Sequence, residues 1–146
     1  MSAREVLHIT DVALRDGLQN QPMQVSTHDK LHLMQLLARA GIHNLEATSF
    51  VSPRAVPQMA DAGELLAQLA ATDWGAALSV SALVPNLKGL ERASEAGVKE
   101  VAVVLSATQT MNLKNINMDL ATAQHTCEQT LARAQSLGLR TRAYVA

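Results

Sequence analysis

The segment Asp11-Val-Ala-Leu-Arg-Asp-Gly-Leu-Gln-Asn20 gathers Arg15, Asp16, Gln19 and Asn20 around Gly17. An adjacent guanidinium and carboxylate would ordinarily form a surface salt bridge beside a turn, of small energetic consequence. At the end of a strand the pair could instead divide two tasks, with Asp16 on a cation and Arg15 on a developing anion. One carboxylate cannot hold a divalent ion, because hard cations surround themselves with six or more oxygens. Further polar groups follow later apolar runs: Glu46-Ala-Thr-Ser-Phe50, Val84-Pro-Asn86 and Lys114-Asn-Ile-Asn117. Glu46 reads equally as a structural carboxylate or a site carboxylate. Asn86 reads first as a helix cap.

The elements that must position these groups follow a repeating unit. Ala40-Gly41-Ile42, Ala96-Gly97-Val98 and Leu137-Gly138-Leu139 each join an apolar-striped segment to a short apolar run. Glycine just past a helix accepts the left-handed conformation that ends it. Repeated helix–Gly–strand units indicate a parallel sheet wrapped by helices. Strands are expected near 6–12, 43–47, 78–83, 100–105 and 140–145. Ser26 is placed to cap a helix from Thr27 to Ala40, with Asp29 at the capping-box position and Leu33, Leu36, Leu37 and Ala40 as its apolar stripe. A second helix is expected over 60–71 and a third from Asn86 to Ala96. A fourth starts at Asp119, with Leu120, Ala123, Cys127, Leu131 and Ala134 at helical spacing. The segments 13–26, 48–59 and 106–118 read as long polar loops following strands. Such loops share the face at the strands' carboxyl ends, where ligand sites gather.

Composition narrows the class. The chain has 146 residues, enough for one domain with a core, and 48% are apolar. Aromatics are 2% and net charge is −1, so neither nucleic-acid backbone binding nor base stacking is expected. No apolar run has the length of a membrane span. A single cysteine permits no intrachain disulfide and fits a reducing compartment. Strand-like residues almost at once after Met1 leave no room for a targeting segment, so a cytoplasmic protein is expected.

Several words are shared with a known family. Leu14-Arg-Asp-Gly-Leu-Gln-Asn20, Glu46-Ala-Thr-Ser-Phe-Val-Ser-Pro53, Val56-Pro-Gln-Met-Ala-Asp61, Pro85-Asn-Leu-Lys-Gly89 and Lys114-Asn-Ile-Asn117 resemble 3-hydroxy-3-methylglutaryl-CoA lyase, in order and spacing, from about residue 6 to the end. The resemblance implies a (β/α)8 TIM barrel using Mg²⁺ or Mn²⁺ for retro-Claisen cleavage of hydroxymethylglutaryl-CoA to acetyl-CoA and acetoacetate, a step in leucine degradation. By motif it implies Asp16 as a metal ligand and Arg15 as the arginine that meets the enolate oxygen. Gln19 and Glu46 match polar residues lining the site, Glu46 with a catalytic role. Asn115 matches a substrate-binding position near the acyl-CoA.

There are departures. Asp11 stands where the family has glutamate, Ala13-Leu14 replaces Gly-Pro, and Ala107-Thr-Gln-Thr-Met111 replaces Ala-Ser-Glu-x-Phe. A complete barrel takes roughly 200–250 residues, so this α/β chain is expected to supply the first five strands and four helices of one. The family's His-x-His metal pair is not in the sequence. His8, His28, His32, His43 and His125 are scattered and read as surface or packing residues. Cys127, on an apolar stripe, reads as a core residue. A single-domain N-terminal portion of a lyase, inactive alone, is the expectation, with a homodimer or a complementary C-terminal half as partner. The alternatives are a lyase for a related 3-hydroxyacyl-CoA and a non-catalytic, self-associating half-barrel.

Overall fold

The computed structural model describes residues 7–146. Five strands, β1 (Thr10–Asp11), β2 (Asn44–Ser49), β3 (Ser79–Leu83), β4 (Glu100–Leu105) and β5 (Arg140–Val145), form one sheet in chain order. Every neighbouring pair is parallel. Helices α1 (Thr27–Arg39), α2 (Ala62–Ala70), α3 (Leu87–Glu95), α4 (Gln109–Ile116) and α5 (Leu120–Ser136) connect them. This is the expected α/β partial barrel, with one helix more than the four expected. The segment 106–118 is not simply a loop: Thr108 caps α4, and Asn117 ends it in the left-handed conformation at φ 53°.

The three helix–Gly–strand junctions are as the sequence indicates. Gly41, Gly97 and Gly138 have φ of +91°, +81° and +72°, where a Cβ would be strained. Ser26 accepts from the backbone N–H of Asp29 at 3.1 Å, and its own hydroxyl donates to that carboxylate at 2.7 Å. Asn86 and Asp119 cap α3 and α5 through Gly89 and Thr122.

Two expectations are corrected. The first strand is regular only at Thr10–Asp11, and Leu7 and Ile9 are 87% and 66% exposed. Among the described residues little covers them at the sheet's edge; the expected start at Val6 lies outside the described residues. The stripe of α1 is met only in part: Leu33 and Leu37 pack against the core as expected. Lys30 and Met34 are buried, whereas Leu36 is 46% exposed and Ala40 is exposed. An ion pair lets Lys30 take the inward place: its Nζ lies 2.6 Å from Asp61 Oδ1 and 2.6 Å from the Gln58 carbonyl oxygen.

The core lies between the sheet and the helices. Leu14, Met34, Leu45, Ala47, Leu65 and Leu69 form one part, under α1 and α2. Phe50, Ala82, Val84, Leu90, Val101 and Val103 centre the other. The opposite face of the sheet is polar and concave. In a flat sheet β2 and β5 would be about 14 Å apart and β1 and β5 about 19 Å. Yet the Tyr144 hydroxyl on β5 donates to Glu46 Oε2 on β2 at 2.8 Å, and Arg142 Nη2 on β5 reaches Thr10 Oγ1 on β1 at 3.4 Å. The sheet is curled into a half-barrel, with charged side chains inside it.

Candidate functional site

The site forms at the carboxyl ends of the strands. After β1 the chain makes one π-type turn, Ala13–Gly17, in which the N–H of Gly17 donates to the Val12 carbonyl at 3.4 Å, beside that of Asp16 at 2.8 Å. Wide turns of this kind often mark functional positions. The turn sinks Leu14 into the core and turns Arg15 and Asp16 toward the concave face. The register of β2 on β3 shifts between Glu46 and Thr48, a bulge just past the site carboxylate. Bulges redirect side chains where a sheet meets a site.

Arg15 is the hub. Its Nε donates to Glu46 Oε1 at 2.5 Å, and its Nη1 to Asp16 Oδ1 at 2.6 Å. Among the described residues its Nη2 has no partner. Glu46 is fully buried, and both its oxygens are taken, Oε1 by Arg15 and Oε2 by Tyr144. Asp16 is the exposed member, with a side chain 59% accessible. Below this layer Arg142 Nη2 pairs with Glu100 at 2.6 Å, Arg140 Nε approaches the same carboxylate at 3.2 Å, and Arg140 also reaches Ser79. Burial, helped by the Glu46 charge, raises the Tyr144 phenol above its ordinary value, against the Arg142 hydrogen bond. That same hydrogen bond, and then the Glu100 charge, hold the Arg142 guanidinium still more firmly protonated.

These groups open into a cavity of about 530 Å³. Its polar wall is Arg15, Asp16, Gln19, Asn20, Asn115 and Tyr144; Val51, Val56, Leu83, Val104, Ile116 and Met118 are among its apolar lining. Arg15, Asp16, Gln19 and Asn115, singled out from sequence, thus line one space, and Glu46 lies beneath them against Arg15. Among the described residues Gln19 Oε1 is buried without a hydrogen-bond partner. Asn86 is spent on capping α3, and only its neighbour Pro85 reaches the cavity. Tyr144 was missed. Its signal is the alternation of β5, which puts Arg140, Arg142 and Tyr144 on one face of the strand. All five histidines are exposed and none lines the cavity. Cys127 is half-buried, its thiol on the Val104 carbonyl at 3.6 Å, and it also borders the cavity; burial pushes the thiol up.

A second hollow, of about 710 Å³, lies at the strands' amino ends. It is larger, but its charged lining is only Lys99 and Arg140. The convergent chemistry is at the other end.

The arrangement presents a cationic edge of Arg15 and the amides of Gln19 and Asn115 to the cavity. For a metal it offers one accessible carboxylate. Among the described residues no group of three or more His, Cys, Asp or Glu is arranged to hold an ion, so the residues present fit one vertex of a divalent site and not a whole one.

The family described as HMGL-like matches residues 6–145. The hydroxymethylglutaryl-CoA lyase of Bacillus subtilis is 40% identical over 137 residues, 94% of this chain and 45% of that protein. A 3-hydroxy-3-isohexenylglutaryl-CoA/hydroxymethylglutaryl-CoA lyase of Pseudomonas aeruginosa is 37% identical over 145 residues, 99% of this chain and 47% of the relative. Among solved structures, the HMG-CoA lyase of B. subtilis superimposes with a TM-score of 0.86 at 39% identity, over 93% of this chain and 45% of the other. An Acinetobacter baumannii HMG-CoA lyase in complex with coenzyme A and 3-methylmalate gives 0.86 at 35% identity, over 99% and 47%. The chain spans about half the length of these relatives.

Proposed function

The chain belongs to the HMGL-like family, and from that premise we propose that it supplies the arginine side of a hydroxymethylglutaryl-CoA lyase site. The carrying observation is Arg15, fixed by buried Glu46 at a strand's carboxyl end, with Nη2 unpaired among the described residues. In the proposed reaction the C3 hydroxyl of the substrate loses its proton and the C2–C3 bond breaks. C3 becomes the ketone of acetoacetate. The bond's electron pair goes to C2, giving the enolate of acetyl-CoA, which then takes a proton. Arg15 donates to the enolate oxygen, and a fixed donor of this kind is worth roughly 3–4 kcal/mol. Glu46 acts through Arg15, holding it. Gln19 and Asn115 bind substrate. Asp16 is one ligand of Mg²⁺ or Mn²⁺; its fellow ligands are not among the described residues, and no step is derived through the ion.

A complementary C-terminal half, or a second copy, closes the barrel in this reading. The complex of the A. baumannii relative with coenzyme A supports an acyl-CoA substrate. A single domain, a cytoplasmic location and a place in leucine degradation belong to the same proposal. The lone cysteine fits a reducing compartment. No described helix is long and apolar enough to cross a membrane. A second reading has its own support: the apolar wall of Val51, Val56, Leu83 and Val104 would suit a C3 branch larger than methyl, as in the substrate named for the P. aeruginosa relative.

The test is a fusion of this chain to the remainder of the B. subtilis lyase. It should release acetyl-CoA and acetoacetate from hydroxymethylglutaryl-CoA with Mg²⁺, and Arg15→Lys should lower kcat by about 10²–10³-fold. A folded fusion without cleavage, or one indifferent to Arg15→Lys, rejects the proposal. Running both acyl-CoA substrates separates the two readings.

A further inference from the structure

We infer that Tyr144 is a positioning residue: its hydroxyl fixes Glu46, and through Glu46 it aims the Arg15 guanidinium into the cavity. Glu46 is fully buried. A buried carboxylate needs both oxygens satisfied, and leaving one orphaned is costly. Arg15 Nε serves Oε1 at 2.5 Å and Tyr144 serves Oε2 at 2.8 Å, so the carboxylate cannot rotate without losing a bond.

The three residues come from separate parts of the fold. Arg15 stands on the turn after β1, Glu46 on β2 and Tyr144 on β5, ninety-eight positions from Glu46. The tyrosine makes the link across the concave face, because it alone brings β5 to this layer. It touches the arginine's surroundings a second time. The Arg15 guanidinium carbon lies 6.0 Å from the centre of the Tyr144 ring, at the outer range of a cation–π contact. Tyr144 is itself steadied by Arg142 Nη1 at 3.4 Å, and Arg142 by Glu100. The chain of contacts therefore runs Glu100–Arg142–Tyr144–Glu46–Arg15. Only its last link needs to meet a ligand.

Glu46 has no exposed surface from which to exchange a proton with a molecule in the cavity. Its work is geometric. Removing the phenol hydroxyl takes a restraint from Arg15 through Glu46, with the guanidinium itself unaltered. Serving an enolate is a role that rests on the proposed function; the clamp itself does not.

The test uses the full chain and nitrogen and carbon NMR. Tyr144 is the only tyrosine, so its ring carbons are assigned without ambiguity. In the unaltered chain the Arg15 Nε–H should exchange with water at least about tenfold more slowly than those of exposed Arg39 and Arg54, as a charge-assisted bond to a buried carboxylate requires. Tyr144→Phe keeps the ring and removes the hydroxyl. It should restore fast exchange at Arg15 while the backbone spectrum elsewhere is retained. Glu46→Gln should shift the Tyr144 Cζ resonance. Fast Arg15 exchange in the unaltered chain overturns the inference, as does slow exchange that survives Tyr144→Phe, or a Tyr144 Cζ signal blind to Glu46→Gln. The first measurement needs no variant, so a Tyr144→Phe chain that failed to fold would not spare the idea. Intact clamp signals beside an inactive fusion would reject the lyase proposal alone.

Discussion

Replacing Asp61 with alanine should cost this protein a large share of its stability. Lys30 is 3% exposed, and among the described residues its Nζ is bonded to Asp61 Oδ1 and the Gln58 carbonyl alone, each at 2.6 Å. Asp61 Oδ2 is held by the Thr27 hydroxyl at 2.8 Å. The alanine removes the countercharge and leaves an ammonium in the core facing one carbonyl. Breaking a buried pair this way costs about 3–5 kcal/mol, against a total of roughly 5–15 kcal/mol for a typical domain. Lys30→Met carries a different expectation, because methionine fills much of the same volume without a charge and leaves Asp61 partly solvated. The double variant should therefore be more stable than Asp61→Ala alone, with a coupling of about 2 kcal/mol or more, within the range found for contacting residues. Urea unfolding followed by Trp74, the only tryptophan and packed against the α1–α2 core, reads this directly. With an m-value near 2 kcal/mol/M, the Asp61→Ala midpoint should fall by about 2 M. A loss below about 1 kcal/mol, or additive single and double effects, would refute the account of Lys30 as a core residue admitted by its ion pair.

Two glycines should respond oppositely to alanine. At Gly89 a Cβ would stand 2.8 Å from the Phe50 carbonyl oxygen and 2.7 Å from Pro85 Cδ, so α3 must shift, at a cost of about 1–3 kcal/mol. At Gly63, inside α2, a Cβ meets nothing within 4 Å, and Gly63→Ala should stabilise by about 0.5–1 kcal/mol; the same urea experiment measures both. Asn112 is buried and bonds the Ser106 N–H and carbonyl and the Thr108 carbonyl. Asn112→Ala should lose about 1–3 kcal/mol through the orphaned groups and expose 106–116 to proteolysis. Hydrogen bonds from Thr122 hold the Asp119 carboxyl below its ordinary value of about 3.8. Its contribution is therefore present above that value and is lost as pH falls through the lower folded one. Circular dichroism of the helices between pH 5 and 2 should show a shallower acid transition in Asp119→Ala than in the parent chain.

What the sequence revealed of this fold was mostly local. A left-handed residue after a helix has one cheap solution, so Gly41, Gly97 and Gly138 marked three junctions. Caps are local too, and Ser26, Asn86 and Asp119 were found by spacing alone. What escaped was set by distant partners. Lys30 lies inward because Asp61, thirty-one residues away, neutralises it, so the inward face of α1 joins Lys30 and Met34 to the expected Leu33 and Leu37, while Leu36 is left exposed. Helix α4 escaped because it has no stripe: Met111 and Leu113 are 46% and 47% exposed, and its anchor is the polar Asn112. At the site, Arg15, Asp16, Gln19 and Asn115 were legible as polar groups after apolar runs, and all four line the cavity. Tyr144 was not, because the fact that makes it important is curvature, which no window of sequence contains.

That curvature and the candidate site have a common origin. The concave face carries three guanidiniums, Arg15, Arg140 and Arg142, and two carboxylates, Glu46 and Glu100. Charges of this kind on a flat, solvated sheet would gain little from one another. Curling brings Arg142 to Thr10 across the sheet and Tyr144 to Glu46, and satisfies groups that would be costly to bury alone. Among the described residues these inner-face ion pairs hold one more cation than carboxylate, and exposed Asp16 at the mouth offsets it. A concave, partly desolvated wall with this excess concentrates its field on whatever enters. Asp16 engages Arg15 at 2.6 Å from the accessible side, so any ligand that draws Asp16 away frees the Nη1 edge of the guanidinium toward the cavity while Glu46 still holds Nε. The buried partner, Glu46, cannot follow it out. The two carboxylates on Arg15 are thus unequal by position: one fixes the guanidinium, and the other can release it to an anion.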